Sequence, residues 1–145
     1  MKQIFLVISV VVLGACGATP PPDEAKVTGL HFTTSSAFSG NPPPTNVDVA
    51  LTDPTPVRAI YDATLALPDF PPGQFSCPAD LGYTHSITFT SDSTVAVTAT
   101  LNAGGCRDAT ISGSPQVRQT DDAYWALLAR NLGVEESAFF SLASP

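Results

Sequence analysis

Three cysteines and two histidines are the residues of this chain with the widest chemistry. They are Cys16, Cys77, Cys106, His31 and His85. A thiolate binds metals, acts as a nucleophile or forms a disulfide, and an imidazole binds metals or transfers protons near neutral pH. The spacing of these residues and the elements that carry them indicate which of these chemistries applies.

Cys16 ends the apolar segment that opens the chain. Lys2 precedes an almost continuous apolar run over residues 4–13, and two small residues separate this run from the cysteine. A membrane-spanning helix needs about 20 apolar residues, so the run is about half the required length. The pattern instead predicts a signal peptide over residues 1–15.

The sequence Leu13-Gly14-Ala15-Cys16 resembles the lipobox of bacterial lipoproteins, in which leucine and two small residues precede a cysteine. The resemblance implies that Cys16 carries diacylglycerol and fatty acyl chains such as palmitate, and that cleavage makes it the mature N-terminus. Ordinary secretion and a buried helix ending at Cys16 are the alternatives. We therefore expect a lipid-anchored, extracytoplasmic protein. Gly17 in place of Asp after the cysteine favours the outer membrane if the host has two membranes.

Residues 16–26 form the predicted link between the lipid and the domain. Three consecutive prolines, residues 20–22, favour extended polyproline II and hence a semi-rigid tether. The formal net charge of −7 argues against a nucleic-acid partner, because phosphate binding depends on clustered cations. Abundant Thr and Ser with few charged residues are typical of a β-rich extracytoplasmic domain.

Cys77 and Cys106 are predicted to form a disulfide, because two thiols in an oxidising compartment normally pair. Closing a loop of about 30 residues stabilises a fold by about 3 to 4 kcal/mol on the chain-entropy model. The competing reading is a metal site completed by His31 and His85, but the sequence lacks C-x2-C and H-x3-H spacing. A redox pair would normally show C-x-x-C spacing. We predict neither a metal nor a cofactor.

The alternation of apolar and polar residues predicts five strands. They cover residues 27–34, 47–51, 83–90, 95–101 and, approximately, 106–112. The first two are expected to pair as an antiparallel hairpin, and the third and fourth form the clearest hairpin. In that hairpin, His85 and Val95 are among the residues expected to face inward.

Two helices complete the predicted order ββαβββα. Thr55 is expected to cap the first helix, and Pro68 to end it. Residues 120–122 are expected to cap the second helix, which ends at Gly133. The order predicts an α+β domain over residues 27–134, with a small antiparallel sheet of about five strands and two helices on one face. Residues 135–145 are a tail whose two phenylalanines either pack on the domain or stay exposed.

Few side chains in this pattern suggest catalysis. His85, with Ser86 or Asp80 nearby, is a candidate general base, but a histidine on the apolar face of a strand is more often packed. Asp80 and Asp108 each lie near a cysteine in the sequence, so a pair of carboxylates at one site remains an alternative. The chain has no nucleophile elbow, H-E-x-x-H motif or calcium loop. We predict no catalytic residue and no enzyme, and we interpret His31 as solvated and Tyr124 and Trp125 as core residues rather than a carbohydrate platform.

Two resemblances concern parts of the mature chain, and the first covers most of residues 56–134. The segments FSCPADLGYTHSITFTS, GGCRDATISG and DDAYWALLARNLGV resemble small bacterial lipoproteins without an assigned activity, which implies a shared fold. The chain also resembles emfourin-like inhibitors of thermolysin-type metallopeptidases, which are small α+β proteins with a strand, loop, strand, helix, hairpin and closing helix. Ala79-Asp80 and the strand at Tyr83 match that pattern, whereas Ala37 replaces a glycine of its loop.

The predicted function is a lipid-anchored binding or interaction module of the cell envelope. Its partner is an unknown envelope protein or ligand. Recognition is expected in loops 35–45 and 67–82, held by the sheet and the predicted disulfide, because loops on a rigid scaffold commonly carry binding. A peptidase inhibitor is the alternative, and an envelope hydrolase is a more distant one.

Overall fold

The computed structural model describes residues 26–36, 46–73, 76–77 and 83–140. The described elements are β1 (Gly29–Ser36), β2 (Asp48–Leu51), α1 (Pro54–Leu65), β3 (Tyr83–Ser91), β4 (Thr94–Asn102), β5 (Asp108–Ile111), β6 (Val117–Gln119), α2 (Asp122–Leu132) and the 3-10 helix Glu136–Ala138. This architecture confirms the α+β class. Among the described residues the sheet has six strands, rather than about five.

The strands form one antiparallel sheet in the order β2-β1-β3-β4-β5-β6. β1 and β2 pair as predicted, and β1 also pairs with β3. Because β2 and β3 both run antiparallel to β1, they are parallel to each other, and α1 lies on the crossover between them. The sheet is therefore not a simple series of hairpins.

One face of the sheet and the two helices enclose the core. Its largest fully buried residues are Trp125, Phe32, Phe89, Phe139, Ile60, Ile87, Leu101, Leu128, His85, Val57 and Thr64. On the central strands these residues alternate with Thr and Ser on the opposite, half-exposed face. This arrangement matches the predicted placement of both helices on one face.

The start of α1 differs from the prediction. Asp53, not Thr55, is the N-cap, and its carboxylate accepts a hydrogen bond from the Thr55 backbone N–H at 2.9 Å. The sequence Asp53-Pro54-Thr55-Pro56 contains two overlapping start signals, and a proline suits the first turn because its missing N–H has no helical partner there. The first signal prevails because aspartate is a strong cap.

The start and end of α2 agree with the sequence. Asp121, the middle residue of the predicted capping triplet, accepts a hydrogen bond from the Tyr124 backbone N–H at 2.8 Å. Gly133 ends the helix with φ 71°, a left-handed conformation that glycine adopts without steric cost.

The expectation that Val95 faces inward is wrong, because its side chain is 60% exposed. Phe89 pairs with Val97 while Thr90 pairs with Val95, so Ala96 is an extra residue on β4. Such a bulge reverses the alternation of side chains beyond it. Val95 consequently shares the outer face with Thr90.

β6 is the strand that the sequence does not predict. Its three residues are too few for a recognisable alternation. Pairing with β5 and with residues 68–70 defines it instead: the Phe70 N–H donates to the Val117 carbonyl at 2.8 Å, and the Gln119 N–H donates to the Pro68 carbonyl at 2.9 Å. The segment after α1 therefore pairs with the free edge of β6, on the side opposite β5.

Candidate functional site

Cys77 and Cys106 form the disulfide that the sequence predicts. Their sulfur atoms lie at bonding distance and their Cα atoms are 4.9 Å apart, across a sequence separation of 29. Cys77 is exposed and Cys106 is half-buried. The bond joins the segment that follows α1 to the turn that precedes β5.

A surface cleft of about 410 Å³ lies beside this disulfide. Phe70 and Pro71 line one side, and the turn that ends in Arg107 lines another. Asp121 and Asp122, at the start of α2, line it as well. Both cysteines contribute to the lining, so the disulfide covalently links two walls of the cleft.

Arg107 has a left-handed backbone conformation, with φ 54°. For a residue other than glycine this conformation costs on the order of 1 to 3 kcal/mol and persists only where the surroundings enforce it. The Arg107 carbonyl accepts hydrogen bonds from both the backbone N–H and the hydroxyl of Thr120, each at 2.9 Å. That hydroxyl also accepts a hydrogen bond from Trp125 Nε1 at 3.0 Å. The cleft wall is thereby connected to the core.

The side chain of Arg107 is held at two points. Its guanidinium carbon lies 5.0 Å from the centre of the Phe140 ring, and its Nη1 pairs with an Asp122 carboxylate oxygen. Within the described residues, the other guanidinium N–H groups make no hydrogen bond. Since the side chain is 40% exposed, these donors are available to a ligand at the cleft.

His85 is a packed core residue, as its place on the apolar face of a strand predicts. It is 0% exposed and contacts the rings of Phe32, Trp125 and Phe139. Its Nε2 lies 3.1 Å from the Phe139 carbonyl oxygen and its Nδ1 3.0 Å from Thr34 Oγ1. Because a carbonyl only accepts hydrogen bonds, Nε2 carries the proton and Nδ1 accepts from the Thr34 hydroxyl.

Burial lowers the pKa of His85 from its ordinary value of 6.5, and the hydrogen bond to the Phe139 carbonyl opposes this shift only in part. The imidazole is therefore neutral at pH 7 with both nitrogens satisfied. Ser86 follows it on the opposite face of β3, since successive strand residues alternate. The structure does not bring the two together as a base and a nucleophile.

The remaining sequence candidates are separate from one another. His31 lies on the outer face of the sheet, where its Nε2 is 2.7 Å from Asp48 Oδ1. The Asp108 carboxylate accepts a hydrogen bond from Asn102 at 3.0 Å. Among the described residues, no group of three or more His, Cys, Asp or Glu side chains is placed to hold a metal ion. Asp80 and Cys16 lie outside the described residues.

Tyr124 and Trp125 are core residues, as predicted, with 4% and 0% exposure. The Tyr124 hydroxyl lies 2.9 Å from Thr64 Oγ1, and burial raises the pKa of this tyrosine above its ordinary value. These side chains are closed to a ligand and do not form a carbohydrate platform.

Arg107 and Phe140 are the site residues that sequence reasoning missed. The one sequence signal for Arg107 is its position directly after Cys106, which places it next to the predicted disulfide. Nothing in the sequence marks its backbone as left-handed, because glycine is the usual residue there. Phe140 falls in the tail, whose packing the sequence left undecided.

A second groove of about 300 Å³, with a mixed polar and apolar lining, lies between α1 and the β4–β5 part of the sheet. Tyr61 and Leu65 line its helix side, and Val97 and Ile111 line its sheet side. Arg118 also lines this groove and pairs with Asp69. The cleft beside the disulfide brings Arg107 together with Asp121 and Asp122 and is therefore the stronger candidate site.

Comparison of the chain with family models, curated proteins and solved structures gave no match. The described helices include none with the length and apolar character needed to cross a membrane.

Proposed function

We propose that this chain is a lipid-anchored binding domain of the bacterial cell envelope. In this proposal Cys16 carries the lipid, and the cleft beside the Cys77–Cys106 disulfide is the recognition site. The observation that carries it is the disulfide itself, which joins two walls of an open cleft.

The disulfide supports a location outside the cytoplasm. Disulfides persist in oxidising compartments and are rare where thioredoxin and glutathione keep thiols reduced. This agrees with the signal peptide and the lipobox read from residues 1–16. Two or three acyl chains on Cys16 would hold the domain firmly, whereas a single chain binds a membrane only marginally.

The rigidity of the cleft supports binding. One wall is fixed by the disulfide, and the Arg107 backbone is fixed by Thr120. A preformed site loses little conformational entropy when it binds, so more of the contact energy appears as affinity. Phe70 and Pro71 offer apolar surface, while Arg107 and Asp122 offer charge. This combination suits a peptide segment of an envelope protein.

Membrane fractionation tests the anchor. The full-length protein, expressed in a bacterium with a lipoprotein pathway, is expected in the membrane fraction and should resist extraction by high salt. The Cys16→Ser variant is expected in the soluble extracytoplasmic fraction. If wild type and Cys16→Ser fractionate identically, Cys16 does not anchor the protein.

Capture from a detergent extract of the envelope tests the cleft. We expect the immobilised wild-type protein to retain a partner that Phe70→Ala and Arg107→Gln lose. Arg130→Gln is the matched control, because Arg130 is an exposed arginine in the last turn of α2 and does not line the cleft. If all four proteins retain the partner equally, the cleft is not the recognition site.

Inhibition of a metallopeptidase is the second candidate function. The order strand, strand, helix, hairpin, helix agrees with the order that the emfourin-like resemblance implies, which bears on the fold alone. Most of the loop at residues 35–40 lies outside the described residues. Titration of a thermolysin-type peptidase with excess protein tests this function, and an unchanged rate of peptide hydrolysis would reject it. A hydrolase is more distant, because His85 would have to be uncovered to act as a base.

A further inference from the structure

The chain after α2 folds back over the core. We call residues 134–140 the C-terminal latch. Phe139 is its most deeply buried residue, with 1% exposure and ring contacts to Phe32, His85 and Trp125. This packing settles the position of Phe139, which the sequence left undecided.

The latch packs on the core through side chains but has few long-range hydrogen bonds. Its backbone hydrogen bonds are local: the Val134 N–H donates to the Ala129 carbonyl of α2, and the N–H groups of residues 138–140 donate to carbonyls three residues earlier. Within the part of the chain that the structure describes, one hydrogen bond joins the latch to the sheet, from His85 Nε2 to the Phe139 carbonyl at 3.1 Å. A terminal segment with so few long-range hydrogen bonds opens at a lower free energy than the whole domain.

We propose that acid releases this latch: protonation of His85 drives Phe139 from its site and uncovers Trp125. This release is a property of the fold and does not depend on what the cleft binds.

A charged His85 is solvated differently in the closed and open states of the latch. With the latch closed, three aromatic rings and the Thr34 hydroxyl surround the imidazole, and burial lowers its pKa. With Phe139 withdrawn, water reaches the ring and solvates the imidazolium. The proton therefore binds more tightly to the open state, and acid shifts the equilibrium towards that state.

No charged group in the described chain compensates a proton on His85. His31, on β1, lies on the opposite face of the sheet. β3 and β4 contain no Asp, Glu, Lys or Arg. The charged residues of α2 and the latch are solvent-exposed: Asp122, Arg130, Glu135 and Glu136. Tyr83 is the other titratable residue of β3.

Release of the latch is also expected to affect the cleft. Phe140 lies 5.0 Å from the Arg107 guanidinium carbon, and its ring lies 5.4 Å from that of Trp125. When the latch leaves, Arg107 loses its aromatic support and retains the ion pair with Asp122. Acid is thus expected to loosen Arg107 at the cleft as well.

Amide hydrogen exchange on the full chain tests the proposal. After correction for intrinsic chemical rates, we expect the protection of latch amides to fall below about pH 6.5, approaching about tenfold per pH unit. The amides of β3 should keep their protection over the same range. The fluorescence of Trp125, the single tryptophan of the chain, should change with the latch amides.

Three variants make the test specific. His85→Gln, whose amide can replace both hydrogen bonds without titrating, should lose the acid response. His31→Gln, at the other histidine of the chain, should retain it. Should His85→Gln not fold, Phe139→Ala serves instead, with an open latch at neutral pH, protected β3 amides and no further acid response. The proposal is overturned if wild-type latch protection is independent of pH, if latch and β3 amides lose protection together, or if a folded His85→Gln or Phe139→Ala variant keeps the acid response.

Discussion

The carbonyl of Arg107 accepts two hydrogen bonds from Thr120, one from its backbone N–H and one from its hydroxyl. The same hydroxyl accepts a hydrogen bond from the indole N–H of Trp125. Through one threonine, the turn that carries the disulfide is therefore tied to the buried centre of the domain. Thr120 is 3% exposed, so water does not replace these bonds if they are lost.

Thr120→Ala is expected to lower the free energy of unfolding by about 1 to 3 kcal/mol, because it leaves the buried Trp125 N–H without an acceptor. Urea denaturation measures the change. Thr120→Ser retains the hydroxyl and should cost less than Thr120→Ala. Equal stability of the two variants would show that the hydroxyl is not the important group.

The double variant Cys77→Ser with Cys106→Ser is expected to lose about 2 to 4 kcal/mol of unfolding free energy. The disulfide closes a loop across 29 residues of sequence, so its loss enlarges the unfolded ensemble. Denaturation of the wild type with and without a dithiol reductant should reproduce the difference, and the double variant should not respond to the reductant. A double variant as stable as the oxidised wild type would contradict this account.

The unfolding free energy is expected to fall as the pH falls below about 6.5, because burial lowers the pKa of native His85 while the unfolded residue titrates near its ordinary value. Below that value the unfolded chain binds a proton that the native chain does not. The resulting slope is at most about 1.4 kcal/mol per pH unit and ends at the native pKa. Above about pH 6.5 both states are neutral, so His85 contributes no pH dependence.

Urea denaturation of wild type, His85→Gln and His31→Gln between about pH 5 and about pH 8 measures this slope. The contribution should disappear in His85→Gln and persist in His31→Gln. An identical pH dependence in His85→Gln and the wild type would assign the slope to other groups.

Asp53→Ala is expected to destabilise the domain by about 0.5 to 2 kcal/mol, because it removes the side-chain acceptor at the start of α1. Thr55→Ala should cost less, since Thr55 contributes its backbone N–H to this bond and the substitution preserves that group. Thermal or urea denaturation of the two variants compares them directly. A greater loss in Thr55→Ala would restore the cap that the sequence predicted.

Period-two alternation predicted the sheet well where a strand is long and one of its faces is buried. β3 shows this best, because Tyr83, His85, Ile87 and Phe89 are all buried. The same alternation correctly identified His85 as a core residue. It failed at Val95, since one extra residue on β4 reverses the faces and leaves no mark in the sequence.

Features that depend on pairing between distant parts of the chain could not be predicted from local sequence patterns. β6 exists because β5 and residues 68–70 supply partners on both sides, although its own three residues carry no strand signal. The left-handed Arg107 is similar, since Thr120 enforces a conformation that local sequence would assign to glycine. The disulfide was predictable because only two cysteines remain after Cys16, so their pairing needed no knowledge of the fold.

The intact mass of the mature protein, purified from bacterial membranes, tests the central claim most directly. The account predicts a chain that begins at Cys16, carries two or three fatty acyl chains and has no free thiol. A chain that retains residues 1–15, with Cys16 unmodified and Cys77 and Cys106 both reduced, would contradict it.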